Sequence, residues 1–299
     1  MCYHAEEDAW RASRPTAQQK ECIAMMMRFP GGLGKALTLS YDDGVEQDER
    51  LIALLDRYGI RCTFNLNSGC YAPEGHAWPQ GQIHRRLPRS RVLSLYGGGR
   101  HEVAVHCLTH ASLPEIPTDQ VVQEVMRDRE NLERDFGGVI RGMAYPFGTY
   151  SDEVVDTLRR CGILYARTVN SSHQFSMPLD WLRLFPTCHH NDPMLMELAD
   201  RFLRESAGFG SRMFYLWGHA YEFEANDNWQ VIEAFCQKMS GREDIWYATN
   251  IEICTYALAF RQLAFSADGR RIYNPTDRTL WLEHEGRVYS VASGETLQL

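Results

Sequence analysis

The chain contains no run of 18 apolar residues, so no segment of it can cross a membrane as a helix. It has no CxxC pair, and its nine cysteines are scattered and odd in number, which fits free thiols in a reducing compartment better than a disulfide framework. Basic residues are not in excess: 31 Lys and Arg stand against 39 Asp and Glu, a formal charge of -8, with the signs evenly mixed. A basic patch for nucleic acid or an anionic membrane is therefore not expected. The first residues carry Glu6, Glu7 and Asp8 and lack the apolar core of a signal peptide. Long internal repeats and low-complexity segments are also missing. These absences together predict a soluble cytoplasmic protein, and 299 residues suffice for one large α/β domain or two modest ones.

What is present is an alternation of strands and helices. The apolar, β-branched run from Ala36 to Tyr41 reads as a buried strand that ends in Asp42, Asp43 and Gly44. A helix is predicted from Glu46 with Leu51, Leu54, Leu55 and Tyr58 on one face and Gly59 ending it. Cys62 to Asn67 is the next strand. A long excursion over residues 68–100, rich in glycine, proline and basic residues, contains one short element at Ser90 to Tyr96. Further strands are predicted at His101 to His106, Val139 to Tyr145, Leu164 to Thr168, Leu182 to Phe185, Met213 to Trp217 and Ile245 to Thr249. Helices fall between them, one from Asp119 to Phe136 with Thr118 as its cap.

Seven or eight strands alternating with helices over residues 31–263 predict an α/β fold, a distorted barrel of parallel strands. Residues 1–30 read as an N-terminal extension packing on that barrel. Residues 264–299 change to short alternating pieces separated by turns such as Asp268-Gly269, which predict a small β-rich appendage.

The chemistry concentrates at strand ends, where parallel α/β folds hold ligands. Alternation along a strand points Asp42 and Asp43 in different directions, so that one can contact a metal while the other faces substrate or water. His106 and His110 are four apart and can converge on one ion; two imidazoles with one carboxylate suit zinc, cobalt, nickel or iron and leave positions open for water and substrate. His219 ends the strand through Trp217 on the same predicted face.

The stretch from Thr38 to Gly44, His106-Cys-Leu-Thr-His110, Asp180-Trp181 and Leu216-Trp217-Gly-His219, with an incomplete match at Met143-Ala-Tyr-Pro146-Phe-Gly148, resemble the motifs of the polysaccharide deacetylases with a NodB-homology domain. These metal-dependent hydrolases remove N- or O-acetyl groups from glycans on a distorted barrel, and the resemblance covers about residues 35–250. It implies Asp42 as general base, Asp43, His106 and His110 as metal ligands, and His219 as general acid with Asp180 orienting it. It further implies Trp181, Leu216 and Trp217 as the lining of the acyl pocket, and a backbone N–H near Tyr145 as oxyanion donor.

One position departs from the family pattern. Ala144 stands where the family commonly has an arginine that steadies the base aspartate. Arg141 lies at the wrong end of its strand, whereas Arg167 ends the neighbouring strand and is the expected replacement. Tyr221, Trp229, Glu222 and His189 or His190, in loops beyond the strand ends, are expected to contact sugar.

The resulting expectation is a divalent metal, zinc first with cobalt or nickel as alternatives, and an acetylated sugar or oligosaccharide as substrate, without nucleic acid or membrane partners and with a homo-oligomer left open. Two other functions remain: hydrolysis of another small amide, and carbohydrate binding without turnover.

Overall fold

The computed structural model describes residues 25–208 and 210–299; most of the expected N-terminal extension therefore lies outside the described residues. Its centre is a parallel sheet of eight strands: β2 (Lys35–Asp42), β3 (Cys62–Leu66), β4 (Glu102–Val105), β5 (Gly142–Ala144), β6 (Tyr165–Arg167), β7 (Cys188–His189), β8 (Arg212–Gly218) and β9 (Ile245–Tyr247). They run in the order β6-β5-β4-β3-β2-β8-β7. β9 pairs with β2 at Lys35 to Leu37, below the point where β3 joins it at Leu39.

The two ends of the sheet approach each other through one segment. Leu184 bridges to Arg167 of β6, and four residues later Cys188 pairs with Leu216 of β8. The sheet is thus a distorted barrel. Leu182 to Phe185, predicted as a strand, forms instead a 3-10 turn at Trp181–Arg183, and the strand that follows has two residues.

Strand alternation divides the molecule into two cores. Leu37, Leu39 and Tyr41 of β2, with Phe214 and Leu216 of β8, face the surrounding helices, among them Asp48–Arg57, Thr118–Phe136, Asp152–Arg160, Leu195–Arg204 and Trp229–Met239. Ala36 on the opposite face joins Met213, Tyr215 and Trp217 of β8 in the second core. Halfway up the barrel this inner face is polar. Thr38 Oγ1 donates to Asn250 Oδ1 at 2.7 Å, Asn250 Nδ2 donates to the Tyr215 hydroxyl at 2.7 Å, and Ser40 Oγ lies 2.9 Å from the same hydroxyl. Buried polar groups satisfied in this way fix the interior without an apolar plug.

The helix Asn250–Phe260 carries a capping box between Thr249 and Glu252 and packs its apolar face on the second core. Two small antiparallel sheets cover it. One joins β12 (Leu280–His284) to β13 (Arg287–Val291) and to β1 (Met26–Arg28); the other joins β10 (Ala264–Phe265), β11 (Arg271–Tyr273) and β14 (Thr296–Gln298). The C-terminal appendage therefore shares a sheet with residues that precede the barrel, and Ile272, Leu280, Leu282 and Val291 extend the inner core into it. The element ends differ from the sequence reading in two instructive places. The first helix begins at Asp48, not Glu46, because Asp48 accepts the Val45 N–H at 3.1 Å and closes the intervening turn. Thr118 is the first residue of its helix, Pro117 holds the cap position, and the Thr118 hydroxyl bonds to Glu153.

Candidate active site

β2 delivers Asp42 to the inner face at its carboxyl end, beside Asn65 of β3 in register. Asn65 Nδ2 donates to Asp42 Oδ1 at 2.7 Å, and the guanidinium of Arg167, from the end of β6, bonds Oδ2. Both partners are buried. Arg167 also stacks on Trp217, its Cζ 4.2 Å from the ring centre. Burial alone would raise the Asp42 pKa, but Arg167, then His106 and His219, outweigh it and hold the carboxyl below its ordinary range.

Asp43 does not follow the alternation expected of a strand. Its φ is 85° and that of Gly44 is 65°, so the chain turns through two left-handed residues. Both carboxylates consequently border one site: Asp42 Oδ2 is 3.8 Å from His106 Nε2, and Asp43 Oδ1 is 4.0 Å from His110 Nε2. The strain at Asp43 is held by the excursion over residues 68–100, which returns alongside the turn. Arg86 donates to Asp43 Oδ1 at 2.8 Å, to its carbonyl at 2.9 Å and to Asn67 Oδ1 at 2.8 Å, and His84 Nε2 lies 3.0 Å from Asp43 Oδ2. Against the opposing effect of burial, the His84 bond and the Arg86 charge keep Asp43 far below the usual carboxylate range.

The two histidines sit on the loop after β4, where Cys107 and His110 also adopt positive φ. Asp128 accepts the His106 N–H at 3.1 Å and ties the loop to the helix Thr118–Phe136. His106 Nδ1 lies 2.8 Å from the carbonyl of Ala144, which can only accept. The proton is therefore on Nδ1, and Nε2 presents a lone pair to the site. Burial lowers the pKa of His106, and burial with the neighbouring His106 lowers His110 to about 4. One oxygen of Asp43 and one nitrogen each of His106 and His110 lie within 4.8 Å of one another. Two neutral imidazoles and an ionised carboxylate fit a divalent metal with open positions.

His219, after β8, completes the opposite wall. Its Nε2 is 3.8 Å from Asp42 Oδ2, and its Nδ1 is 3.0 Å from Oε1 of Glu222. Burial would lower its pKa, but the Glu222 bond and the charges of Asp42 and Asp43 raise it. Tyr221 stands beside it, ring centres 5.2 Å apart, and meets His84 edge-on at 4.8 Å. Phe147, largely exposed, stands edge-on to His110.

Several expected site residues lie elsewhere. Asp180 does not reach His219: it caps the turn Trp181–Arg183, accepting the Leu182 N–H at 3.0 Å, and pairs with Arg183. Trp181 lines a cavity of about 920 Å³ with Met27, Ser211 and Arg212, at the opposite end of β8 from His219. Leu216 pairs in register with Leu39 and faces the helices, because β8 alternates and Trp217 takes the inward position. The Tyr145 N–H is already donated to the Arg167 carbonyl at 3.0 Å and is not free for an oxyanion. His190 is buried and stacked on Phe223 at 4.1 Å, closed off from a substrate. Glu222, expected at a sugar, is occupied by histidines, and Trp229 packs on Phe223 and Arg50 in the helix layer.

His84 and Arg86 are absent from the sequence reading, since a loop without periodicity gives no sign of which side chains turn inward. Asn65 lies within the strand expected from Cys62 to Asn67, but nothing along that strand shows its partner Asp42.

Residues 31–166, which contain Asp42, Asp43, His106 and His110, match the family model described as polysaccharide deacetylase. That stretch is similar to a polysaccharide deacetylase domain. Among solved structures, a Mycobacterium smegmatis protein named as a polysaccharide deacetylase is 18% identical, with a TM-score of 0.57 over 80% of this chain and 95% of that one. This likeness extends the shared distorted-barrel fold beyond the matched stretch. A family 4 carbohydrate esterase from Streptomyces lividans is 15% identical, with a TM-score of 0.47 over 72% of this chain and 93% of that one. A CE4-family pseudoenzyme from Bacillus anthracis is 15% identical, with a TM-score of 0.46 over 77% of this chain and 68% of that one. No curated protein matches the chain. Arg167 falls one residue past the stretch that the polysaccharide deacetylase family model covers, and His219 well beyond it.

Proposed function

We propose that this chain is a polysaccharide deacetylase, a metal-dependent hydrolase that removes an N- or O-linked acetyl group from a sugar or oligosaccharide. The observation that carries the reading is the facing pair Asp42 and His219, one held ionised and the other biased toward its protonated form, beside the Asp43, His106 and His110 donor set. A divalent ion bound by Asp43, His106 and His110, zinc by the chemistry of these donors, would polarise the acetyl carbonyl and acidify the attacking water.

Asp42 takes the proton of that water as it attacks. Arg167 and Asn65 keep the carboxylate charged and fixed in direction, leaving lone pairs free for the proton. His219 Nε2 delivers a proton to the sugar nitrogen or oxygen as the bond to the acetyl carbon breaks, because an unprotonated amine anion is too poor a leaving group to depart. Trp217, packed against Arg167, excludes water from behind the base. Acetate release tests the reading, using a panel of N- and O-acetylated sugars and small linear and cyclic amides with protein stripped of metal and reloaded with zinc, cobalt or nickel. Release from the sugars supports it, and hydrolysis of the amides alone moves the activity to another C–N bond.

A further inference from the structure

Glu222 lies one turn after His219, accepts a hydrogen bond from it, and has two further imidazoles within ion-pair distance. His219 Nδ1 is 3.0 Å from Oε1; His189 Nε2 and His190 Nε2 are 3.2 and 2.9 Å from Oε2, where Asn191 Nδ2 also donates at 3.2 Å. His190 is clamped in turn. It packs against Gly218, where any Cβ would collide with its ring, and between Phe223 and Tyr41 at 4.1 and 5.7 Å.

His189, His190 and Glu222 also meet the spacing of a metal site, with donor atoms within 4.8 Å. The tautomer of His189 argues against it. The backbone N–H of Asn191 donates to His189 Nδ1 at 3.1 Å, so Nδ1 is an acceptor and the proton sits on Nε2, facing the carboxylate. Coordination through Nε2 would put the proton on Nδ1, opposed to the Asn191 N–H. His189 thus turns an N–H, and not a lone pair, toward the ionised carboxylate, which does not suit an ion.

We propose that Glu222 is the positioning residue of the acid, in place of the displaced Asp180: it fixes the Nδ1–H of His219 and so aims Nε2 at the leaving group, while His189, His190 and Asn191 hold Glu222 in place. The proposal rests on the deacetylase reading above. In the step it governs, the Nε2 proton of His219 passes to the departing nitrogen or oxygen as the bond to the acetyl carbon breaks. His219 becomes neutral and keeps its Nδ1 proton, Glu222 stays ionised, and solvent returns the proton to Nε2.

The test compares the zinc-loaded full chain with Glu222→Gln on two kinds of substrate. An N-acetylated sugar needs a proton delivered to its leaving group, whereas the phenolate of 4-nitrophenyl acetate leaves without one. The variant is expected to lose about 100-fold in kcat on the sugar with KM unchanged, and to stay within about threefold of wild type on the phenyl ester. His189→Leu, which removes one support of Glu222, gives a smaller loss with the same selectivity. Equal loss on both substrates, or no loss on either, overturns the proposal.

A readout independent of turnover is the His219 Nδ1–H resonance in a 15N-labelled imidazole spectrum, assigned by its absence in His219→Ala. It is expected downfield in wild type and shifted or lost in Glu222→Gln; an unchanged resonance overturns the proposal. So does a second zinc per chain that His189→Leu abolishes. If wild type hydrolyses no acetylated substrate, the deacetylase reading fails separately and the resonance alone decides the role of Glu222.

Discussion

The guanidinium of Arg167 and the carboxylate of Asp42 meet inside the barrel across 125 residues of sequence, each with almost no exposure to solvent. Arg167 ends β6 next to β5, whose last residue is Ala144, so the positive charge reaches Asp42 from one strand further along the sheet. The pair has two separable consequences for Arg167→Met. Removing one partner of a buried ion pair costs about 3–5 kcal/mol, read by chemical denaturation. The folded fraction should also show a changed pH profile. Arg167 depresses the Asp42 pKa, so its loss raises that pKa and moves the acidic limb of kcat/KM to higher pH. An unmoved limb would show that the arginine serves packing alone.

Leu216 and Trp217 are adjacent but face opposite layers, and their substitutions should separate. Leu216→Ala removes a buried side chain from the helix-facing core and is expected to cost about 2–5 kcal/mol, with kcat per folded molecule unchanged. Trp217→Phe keeps an aromatic ring but reduces the surface under Arg167, so it should lower kcat by more than it lowers the melting temperature. Melting curves and activity corrected for folded fraction check both, and a kcat defect in Leu216→Ala would restore it to the acyl pocket.

Much of this was legible in the sequence, and the exceptions have physical causes. Ala36 to Tyr41 announced a buried strand, and His106 and His110 announced convergence through spacing. Arg167 was identifiable because a strand end fixes its location. Leu182 to Phe185 misled because a short apolar run is the same in a strand and in a 3-10 turn, while Cys188 and His189 are too few to show a pattern. Leu216 was misplaced because register with β2, which decides its face, is not visible along one strand. Asp180 and Glu222 are both acids near a motif, and only the path of the chain reveals that Glu222 shares a turn with His219.

Gly218 is required for a reason of space. Its φ is outside the left-handed region, yet a Cβ there would strike the His190 ring. Gly218→Ala should therefore displace His190, loosen Glu222 and destabilise the fold by about 1–3 kcal/mol. The expected signature is a lower melting temperature together with a loss of activity on acetylated sugar. Retention of both would mean that the ring has room to move.

Asp48 gives stability a pH dependence of its own. Burial raises its pKa from 3.8 to about 7, against bonds from the Tyr96 hydroxyl and the Val45 N–H, and one carboxylate oxygen has no partner. The folded state therefore holds a proton that the unfolded chain has released. Its contribution is full below about pH 4 and is lost as the pH rises through about 7, a span worth about 4 kcal/mol. Asp48→Asn does not titrate. Its stability deficit relative to wild type, measured by denaturant unfolding, should narrow between pH 5 and pH 8; a constant deficit would show that Asp48 is ionised throughout.

The most direct test of the central claim is a zinc titration of metal-free protein in which bound zinc and acetate release from an N-acetylated sugar are followed together. The account predicts that release is negligible without zinc and rises in proportion to it up to one equivalent. Asp43→Asn and His106→Ala should bind zinc weakly and release little acetate, while Asp42→Asn should bind zinc but release almost none. Acetate release in the metal-free protein, or full activity in His106→Ala, would contradict it.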